Sequence, residues 1–467
     1  MDMARDVAFP GSAGHRRGIS EALADARVRR LAAWLPLAGV VALSLALNAW
    51  SLSAAGYGNT YYAAAVRSMT LSWKNFFFGA FDPGGFITVD KPPFFLWVDA
   101  LSARVVGYSS WSLLLPSAVA GAASVGLLWI IVRKWFGVGA ATIAGLVLAL
   151  SPISVAVNRL NLPEPFMVLL LVGTAGAVLQ SIESRRWMLW LALAGVLAGI
   201  GFNTKMLAAW IPGPAFVLAV VVGTRTISRA SMRGLLARLA VFGAVTLVVG
   251  ASWLVIVDAW PASSRPYIGG STNNTVLQLA FGYNGFGRVD GDSQGGGGGR
   301  GGPPAGASSR GAPAFGGRFA PPTNGASRGG GFAGPGGIFG GLPSAFRMLD
   351  ATNGGQIGWL LPFALFAGAV ALWHWRRDPV RRAAGVAFLG WVLLYAGVFS
   401  YAQGIFHSYY TSAMAPGIAA LAGIGSVALA RSVRTNRWWL IAAVGLVVIG
   451  IWAELVIEAR TPDFYGW

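Results

Sequence analysis

The chain has 467 residues, of which 55% are hydrophobic and only 11% charged, with a mean hydropathy of +0.60. A soluble chain carries roughly 25% charged residues, so this one cannot cover a water-facing surface of its size, and it is too apolar for general disorder. Its net charge of +18 reflects arginines gathered in short connections between apolar runs, which points to membrane topology and away from nucleic acid; zero cysteines exclude disulfides, thiolate metal sites and a Cys nucleophile.

A helix needs ~20 apolar residues to cross a bilayer. Taken in chain order, the apolar runs predict about eleven spans: 32–52, 112–132, 138–157, 165–181, 187–203, 206–223, 239–257, 356–374, 384–401, 411–430 and 438–457. The first is not a cleavable signal peptide, because no small-residue cleavage site ends it. The expected fold class is all-α, a polytopic integral membrane protein. Residues 1–31 read as a basic cytoplasmic tail. Residues 32–257 read as an N-terminal transmembrane module with a large first outer loop at 53–111. Residues 258–355 read as a second outer loop, with a Gly-rich disordered insert over 285–341 that lacks the apolar content of a core. Residues 356–467 read as a C-terminal transmembrane module.

Charge sets the orientation. The tail arginines, Arg133/Lys134, Arg185/Arg186, Arg225 to Arg238, Arg376 to Arg382 and Arg431 to Arg437 all fall on one side of an eleven-span chain. The positive-inside rule makes that side cytoplasmic and implies a multi-pass plasma-membrane protein. The opposite face mixes acids and bases. It holds Asp82, Asp90 and Lys91 in the first loop, then Arg159 and Glu164, then Lys205, then His407, Tyr409 and Tyr410. The chain has only four lysines, and Lys74, Lys91 and Lys205 lie on this outer face.

That mixture suits one class of chemistry. A carboxylate accepts the proton of a hydroxyl nucleophile, and Lys or Arg stabilises a departing phosphate. A sugar on a phosphate leaves without an acid catalyst, so one carboxylate suffices, unlike ordinary glycoside hydrolysis with its two carboxyls. Outside the cell the donor would be lipid-linked. Other readings of the same residues stay open. Asp82 before Pro83 suits a turn, Asp90 a helix cap, Lys91 a snorkelling side chain, and Arg159, Tyr61 and Tyr62 interface anchors. Glu164 suits a first-turn acid favoured by the helix dipole.

Several stretches resemble the GT-C glycosyltransferases, in the bacterial branch related to protein O-mannosyltransferases and lipid A aminoarabinose transferases. They are Asn59-Thr60-Tyr61-Tyr62, Phe81-Asp82-Pro83, Val89-Asp90-Lys91-Pro92-Pro93, Asn158-Arg159 with Pro163-Glu164, Asn203-Thr204-Lys205, Gly355 to Pro362 and His407-Ser408-Tyr409-Tyr410. The resemblance covers about residues 55–430. It implies a polyprenyl-phosphate sugar donor, inversion at the sugar carbon, and an acceptor glycolipid, polysaccharide or protein on the outer face. It implies that Lys91 and Lys205 hold the donor phosphate, with Arg159 a further candidate, and that Asp90 or Asp82 supplies the catalytic carboxylate base, with Glu164 matching a further acidic position. His407, Tyr409 and Tyr410 are acceptor or metal candidates. His407 with Asp90 is a thin ligand set for a divalent ion. Two departures matter: many relatives carry an acid where this chain has Asn59-Thr60, and close relatives often continue into a soluble outer domain where this chain ends at Trp467. The rival functions are a transporter or flippase of lipid-linked sugar and a non-catalytic lipid-binding partner. Ionic residues at span ends, without internal repeats, favour the enzyme.

Overall fold

Each apolar run forms a helix or a pair of helices in the computed structural model, which describes residues 32–227, 231–291, 340–350 and 352–459. The basic tail and residues 292–339 of the expected insert lie outside the described residues. Helix α1 (Leu35–Ala49) leads into three helices of the first loop: α2 (Thr60–Leu71), α3 (Trp73–Phe78) and α4 (Phe94–Val106). Then come α5 (Ser110–Phe136), α6 (Val138–Leu150), α7 (Pro152–Asn158), α8 (Glu164–Glu183), α9 (Trp187–Lys205), α10 (Gly213–Ile227) and α11 (Met232–Ala259). After the second large connection follow α12 (Leu361–His374), α13 (Pro379–Tyr401), α14 (Ala415–Thr435) and α15 (Trp438–Glu458).

Seven helical segments among the described residues are long and apolar enough to cross a membrane, and the α6–α7 pair, bent by 60°, is an eighth candidate. The shorter apolar helices α1, α10 and α12 correspond to the other three expected runs. The bend follows from Pro152. Ser151 precedes it in an extended conformation, as the clash with a following proline ring favours, and one apolar run becomes two helices. The run expected at 206–223 starts later than its apolar residues do: Met206–Trp210 is a 3₁₀ turn, and α10 begins at Gly213.

Lipid offers no hydrophobic drive for helices to associate, so they associate through close packing of small residues. Helix α14 lies against α12 and α6. At Gly423 an added Cβ would sit 2.2 Å from the Ala140 carbonyl oxygen, so only glycine permits that approach. Helix α9 packs between α8 and α11. At the end of the bundle that carries the first loop, α3 is tied down by indole donors. Trp97 Nε1 donates to the Phe76 carbonyl at 2.7 Å, and Trp253 Nε1 donates to the Phe77 carbonyl at 3.1 Å. The first bond ties α4 to α3 within the loop, and the second ties the loop to the end of α11.

Candidate active site

Residues 79–93 join α3 to α4, and distant parts of the chain fix their shape. Thr88 N–H donates to the Tyr267 carbonyl at 2.8 Å, and Gly269 N–H donates to Thr88 Oγ1 at 2.9 Å. Asn284 Nδ2 donates to the Asp90 carbonyl at 2.8 Å. Gly270 has φ +81°, and an added Cβ there would lie 3.2 Å from Asp90 Cβ. Glycine thus lets the second large connection close against Asp90.

Within this frame Lys91 Nζ stands 2.5 Å from Asp90 Oδ2. Lys91 is buried and also faces the Tyr283 ring, 5.3 Å from its centroid. The ring lies on a π-helical turn, Leu279–Phe286, that runs into a short helical turn, Gly287–Val289. Arg288 projects from the latter. Its Nε donates to the Tyr283 carbonyl at 3.0 Å, its Nη1 to the Ile405 carbonyl at 3.2 Å, and its guanidinium lies 4.5 Å from the Tyr283 ring centroid. The Ile405 carbonyl belongs to the connection after α13. That connection continues through His407 into the 3₁₀ turn Ser408–Met414, where His407 and Tyr409 stack at 5.1 Å.

Together these elements enclose a cavity of about 400 Å³. Its charged wall is Asp90, Lys91 and Arg288, and its aromatic wall is Tyr61, Tyr62, Tyr283, His407, Tyr409 and Tyr410. Asn59 closes one end as the N-cap of α2, accepting from Tyr62 N–H at 3.2 Å, and is locked by Asn161 through both of its own backbone groups. A second, mostly apolar groove of about 220 Å³ shares Lys91, Arg288, Ile405 and Tyr410 with this cavity. It runs past Lys205, Tyr395, Phe399 and Phe406 between α9, α13 and the connection around residue 405.

The charges set each other's protonation. Burial pushes the Asp90 carboxyl up, but the Lys91 ammonium, its hydrogen bond, Arg288 and the Tyr283 hydroxyl together hold it below the usual aspartate value. Asp90 is therefore ionised at neutral pH. Burial lowers Lys91 to about 8, with Arg288 and Lys205 adding to the effect and Asp90 opposing it. Burial and the three cations Arg288, Lys205 and Lys91 lower His407 to about 4, so its ring is neutral at physiological pH.

Five of the residues expected from sequence meet in the cavity: Asp90, Lys91, His407, Tyr409 and Tyr410. Lys205, the last residue of α9, lines the adjoining groove and pairs with Glu164 behind it. Glu164 is buried at the start of α8 and holds Lys205, so it does not face the polar cavity. Asp82 lies outside both spaces. Its Oδ2 accepts from Phe86 N–H and Ile87 N–H, each at 3.0 Å, the arrangement that the turn reading expects. Arg159 is also elsewhere, donating from Nη1 to the Leu47 carbonyl at 2.8 Å, a brace between α1 and the loop after α7. Sequence reading missed Arg288 and Tyr283, and it assigned Tyr61 and Tyr62 to the membrane interface. Arg288 falls just inside the stretch read as the Gly-rich insert. Its only local sign is the compact apolar run from Leu279 to Phe286 immediately before it.

The residues present do not fit a divalent metal. Among the described residues no three His, Asp or Glu side chains gather in one place. Asp90 is already neutralised by Lys91, and the cations around it would repel a further positive charge.

Residues 90–253 match the family described as dolichyl-phosphate-mannose-protein mannosyltransferase. YycA of Bacillus subtilis (strain 168), provisionally named a mannosyltransferase, is 36% identical over 89% of this chain and 67% of its own length. The chain belongs to the GT-C glycosyltransferase superfamily. YkcB of the same organism, named in the same provisional way, is 37% identical over 86% of this chain and 63% of its own. The chain thus spans about two thirds of the length of these curated relatives. The GT-C fold is also seen in ArnT from Cupriavidus metallidurans bound to undecaprenyl phosphate, with TM-score 0.56 and 20% identity over 91% of this chain and 66% of that one. It recurs in the archaeal oligosaccharyltransferase AglB from Archaeoglobus fulgidus, in complex with an inhibitory peptide and a dolichol-phosphate. There the TM-score is 0.53 and identity 14%, over 94% of this chain and 55% of that one.

Proposed function

We propose that this GT-C protein transfers a sugar from a polyprenyl-phosphate carrier to a hydroxyl acceptor at the outer face of the plasma membrane, in building or decorating the cell envelope. The observation that carries the reading is the junction of the two spaces. Lys91 and Arg288 belong to both walls, with the polar cavity on one side and the apolar groove past Lys205 on the other. A phosphate at that junction leaves its prenyl chain in the groove and its sugar among the tyrosines. The ArnT and AglB structures hold lipid phosphates of this kind, which supports the choice of donor. The outer-face assignment rests on the basic connections, which all lie at the other end of the helices.

In this reading Asp90 receives the proton of the acceptor hydroxyl while that oxygen bonds to the sugar C1 from the face opposite the phosphate. The C1–O bond to phosphate breaks, the sugar inverts, and polyprenyl phosphate leaves. Lys91, Arg288 and Lys205 meet the charge that grows on the leaving phosphate. The acceptor is a glycolipid, a polysaccharide or a protein. The cavity favours a neutral sugar. Lys91 and Arg288 outnumber Asp90 on the charged wall, so the cavity carries a net positive charge that disfavours an ammonium group on an amino sugar.

The test is turnover by the purified full chain in nanodiscs, given polyprenyl phosphate carrying a neutral hexose, a neutral pentose or an aminopentose. Release of polyprenyl phosphate from a neutral donor is the expected result. Arg288→Gln should lower that turnover by about 10²–10³-fold, as loss of one transition-state contact does. No release from any donor with any of the three acceptor classes supplied would end the reading, and preference for the aminopentose would end the neutral-sugar part of it.

A further inference from the structure

Glu164 also borders a second, much smaller cavity inside the bundle. Its volume is about 10 Å³, and its wall includes Ser124, Ser154, Asn158 and Ser412. That is close to the size needed for one water molecule with polar partners. Two of the lining residues, Glu164 and Ser412, each carry a buried oxygen, Oε2 and Oγ, without a hydrogen-bond partner. The other carboxylate oxygen, Oε1, is taken by Lys205. A carboxylate oxygen left without a donor inside a membrane protein is costly, and a hydroxyl beside it can only relieve it by direct contact or through a bridge.

We propose that this cavity binds a single water molecule, which donates to Glu164 Oε2 and accepts from the Ser412 hydroxyl, with the Asn158 amide as a third partner. The water is a positioning device. Ser412 lies in the turn Ser408–Met414 that also carries Tyr409 and Tyr410. Glu164 opens α8 and holds Lys205, whose ammonium stands 3.8 Å from the Tyr410 ring centroid. One water therefore ties the aromatic wall of the cavity to the lysine at its groove. This role for Lys205 rests on the donor reading given above, whereas the water site itself does not.

Two measurements test it. In a high-resolution structure of the full chain in nanodiscs, a density peak is expected within hydrogen-bond distance of both Glu164 Oε2 and Ser412 Oγ. A direct Glu164–Ser412 contact, or no peak where other buried waters are visible, would overturn the site. The second measurement compares Ser412→Thr with Ser412→Val, which share a shape and differ in the hydroxyl. Both should melt within a few degrees of each other, since their packing is alike. Undecaprenyl phosphate should bind the Val variant about tenfold more weakly than the Thr variant, the cost of one lost hydrogen-bond partner for a buried charged group. Equal binding by the two variants would overturn the positioning role. A wild-type protein that binds no polyprenyl phosphate would instead remove the donor reading, and the density would still decide the water.

Discussion

Lys205 and Glu164 form an ion pair between the last residue of α9 and the first of α8, with side-chain exposures of 8% and 1%. Each end also meets its helix dipole favourably, the lysine at a C-terminus and the glutamate at an N-terminus. Such a pair contributes little over an apolar substitute, yet removing one partner strands the other.

The consequence is a strongly non-additive double-mutant cycle. Lys205→Met alone leaves Glu164 buried and unpaired, which should cost about 3–5 kcal/mol of stability. Glu164→Gln alone should cost a similar amount. The double variant should recover most of that loss while still binding lipid phosphate more weakly than the wild type, since Lys91 and Arg288 remain. Thermal melting in detergent, with lipid binding measured on the same samples, reads both effects. Additive losses in stability would show that the pair is screened by water and that Lys205 is free to act alone.

The pH dependence follows from Lys91 and its neighbours Asp90, Arg288, Lys205 and Tyr283. Lys91 must be protonated to attract a phosphate, and in the free protein its proton is lost as pH rises through about 8. Asp90 lies below the usual aspartate range and His407 near 4, so neither changes charge between pH 5 and 7 on its ordinary titration. The ratio kcat/KM should thus be flat from about pH 5 to 7 and fall about tenfold per unit well above pH 8, because it reports groups of the free enzyme. Lys91→Arg should move the alkaline fall beyond the measurable range. A fall below pH 7 that survives in His407→Asn would point to a different titrating group.

Asp82 and Asp90 are eight residues apart in one loop, and their variants should behave in opposite ways. Asp82 holds the turn through the Phe86 and Ile87 N–H groups. Asp82→Ala should therefore lower stability by about 0.5–2 kcal/mol, the usual cost of losing a side-chain cap, with turnover changed only a few-fold. Asp90→Asn should lower turnover by about 10²–10³-fold, far more than it lowers the melting temperature. The paired measurement is melting temperature against initial rate for each variant. Equal loss of rate in both would mean that the loop acts through its shape and not through the Asp90 carboxylate.

The transmembrane helices were legible in the sequence because each needs a long apolar run and this chain has few charges to interrupt one. The α6–α7 bend was less visible, since Ser151-Pro152 sits within a run that reads as continuous. Within the site, Lys91 and Lys205 stood out because lysine is rare in this chain and both lie beside apolar segments. Asp82 and Asp90 looked alike, since the difference between them comes from backbone N–H groups that local sequence does not place. Arg288 was hidden by the Gly-rich stretch after it. Its position depends on the Ile405 carbonyl, more than a hundred residues away. Glu164 was recognised as a first-turn acid, but its partner was not, because the pairing requires α8 and α9 to pack side by side.

Asp99 has no part in the proposed chemistry and offers a test of the fold alone. It lies on α4, in the first loop, fully buried, with neither carboxylate oxygen in a hydrogen bond. Burial holds its carboxyl well above the usual aspartate range, so the folded protein keeps a proton there that the unfolded chain releases. Stability from this group is therefore fully present only below about pH 4 and declines as pH rises toward its folded value. Asp99→Asn is nearly the same size and cannot ionise. It should raise stability at pH 7–8, because the unfolded chain no longer gains by ionising at this position. It should also flatten the dependence of melting temperature on pH between 5 and 8, with turnover unchanged. A melting curve that shifts downward in the variant would mean that the Asp99 carboxyl is satisfied in the folded protein and contributes to its packing.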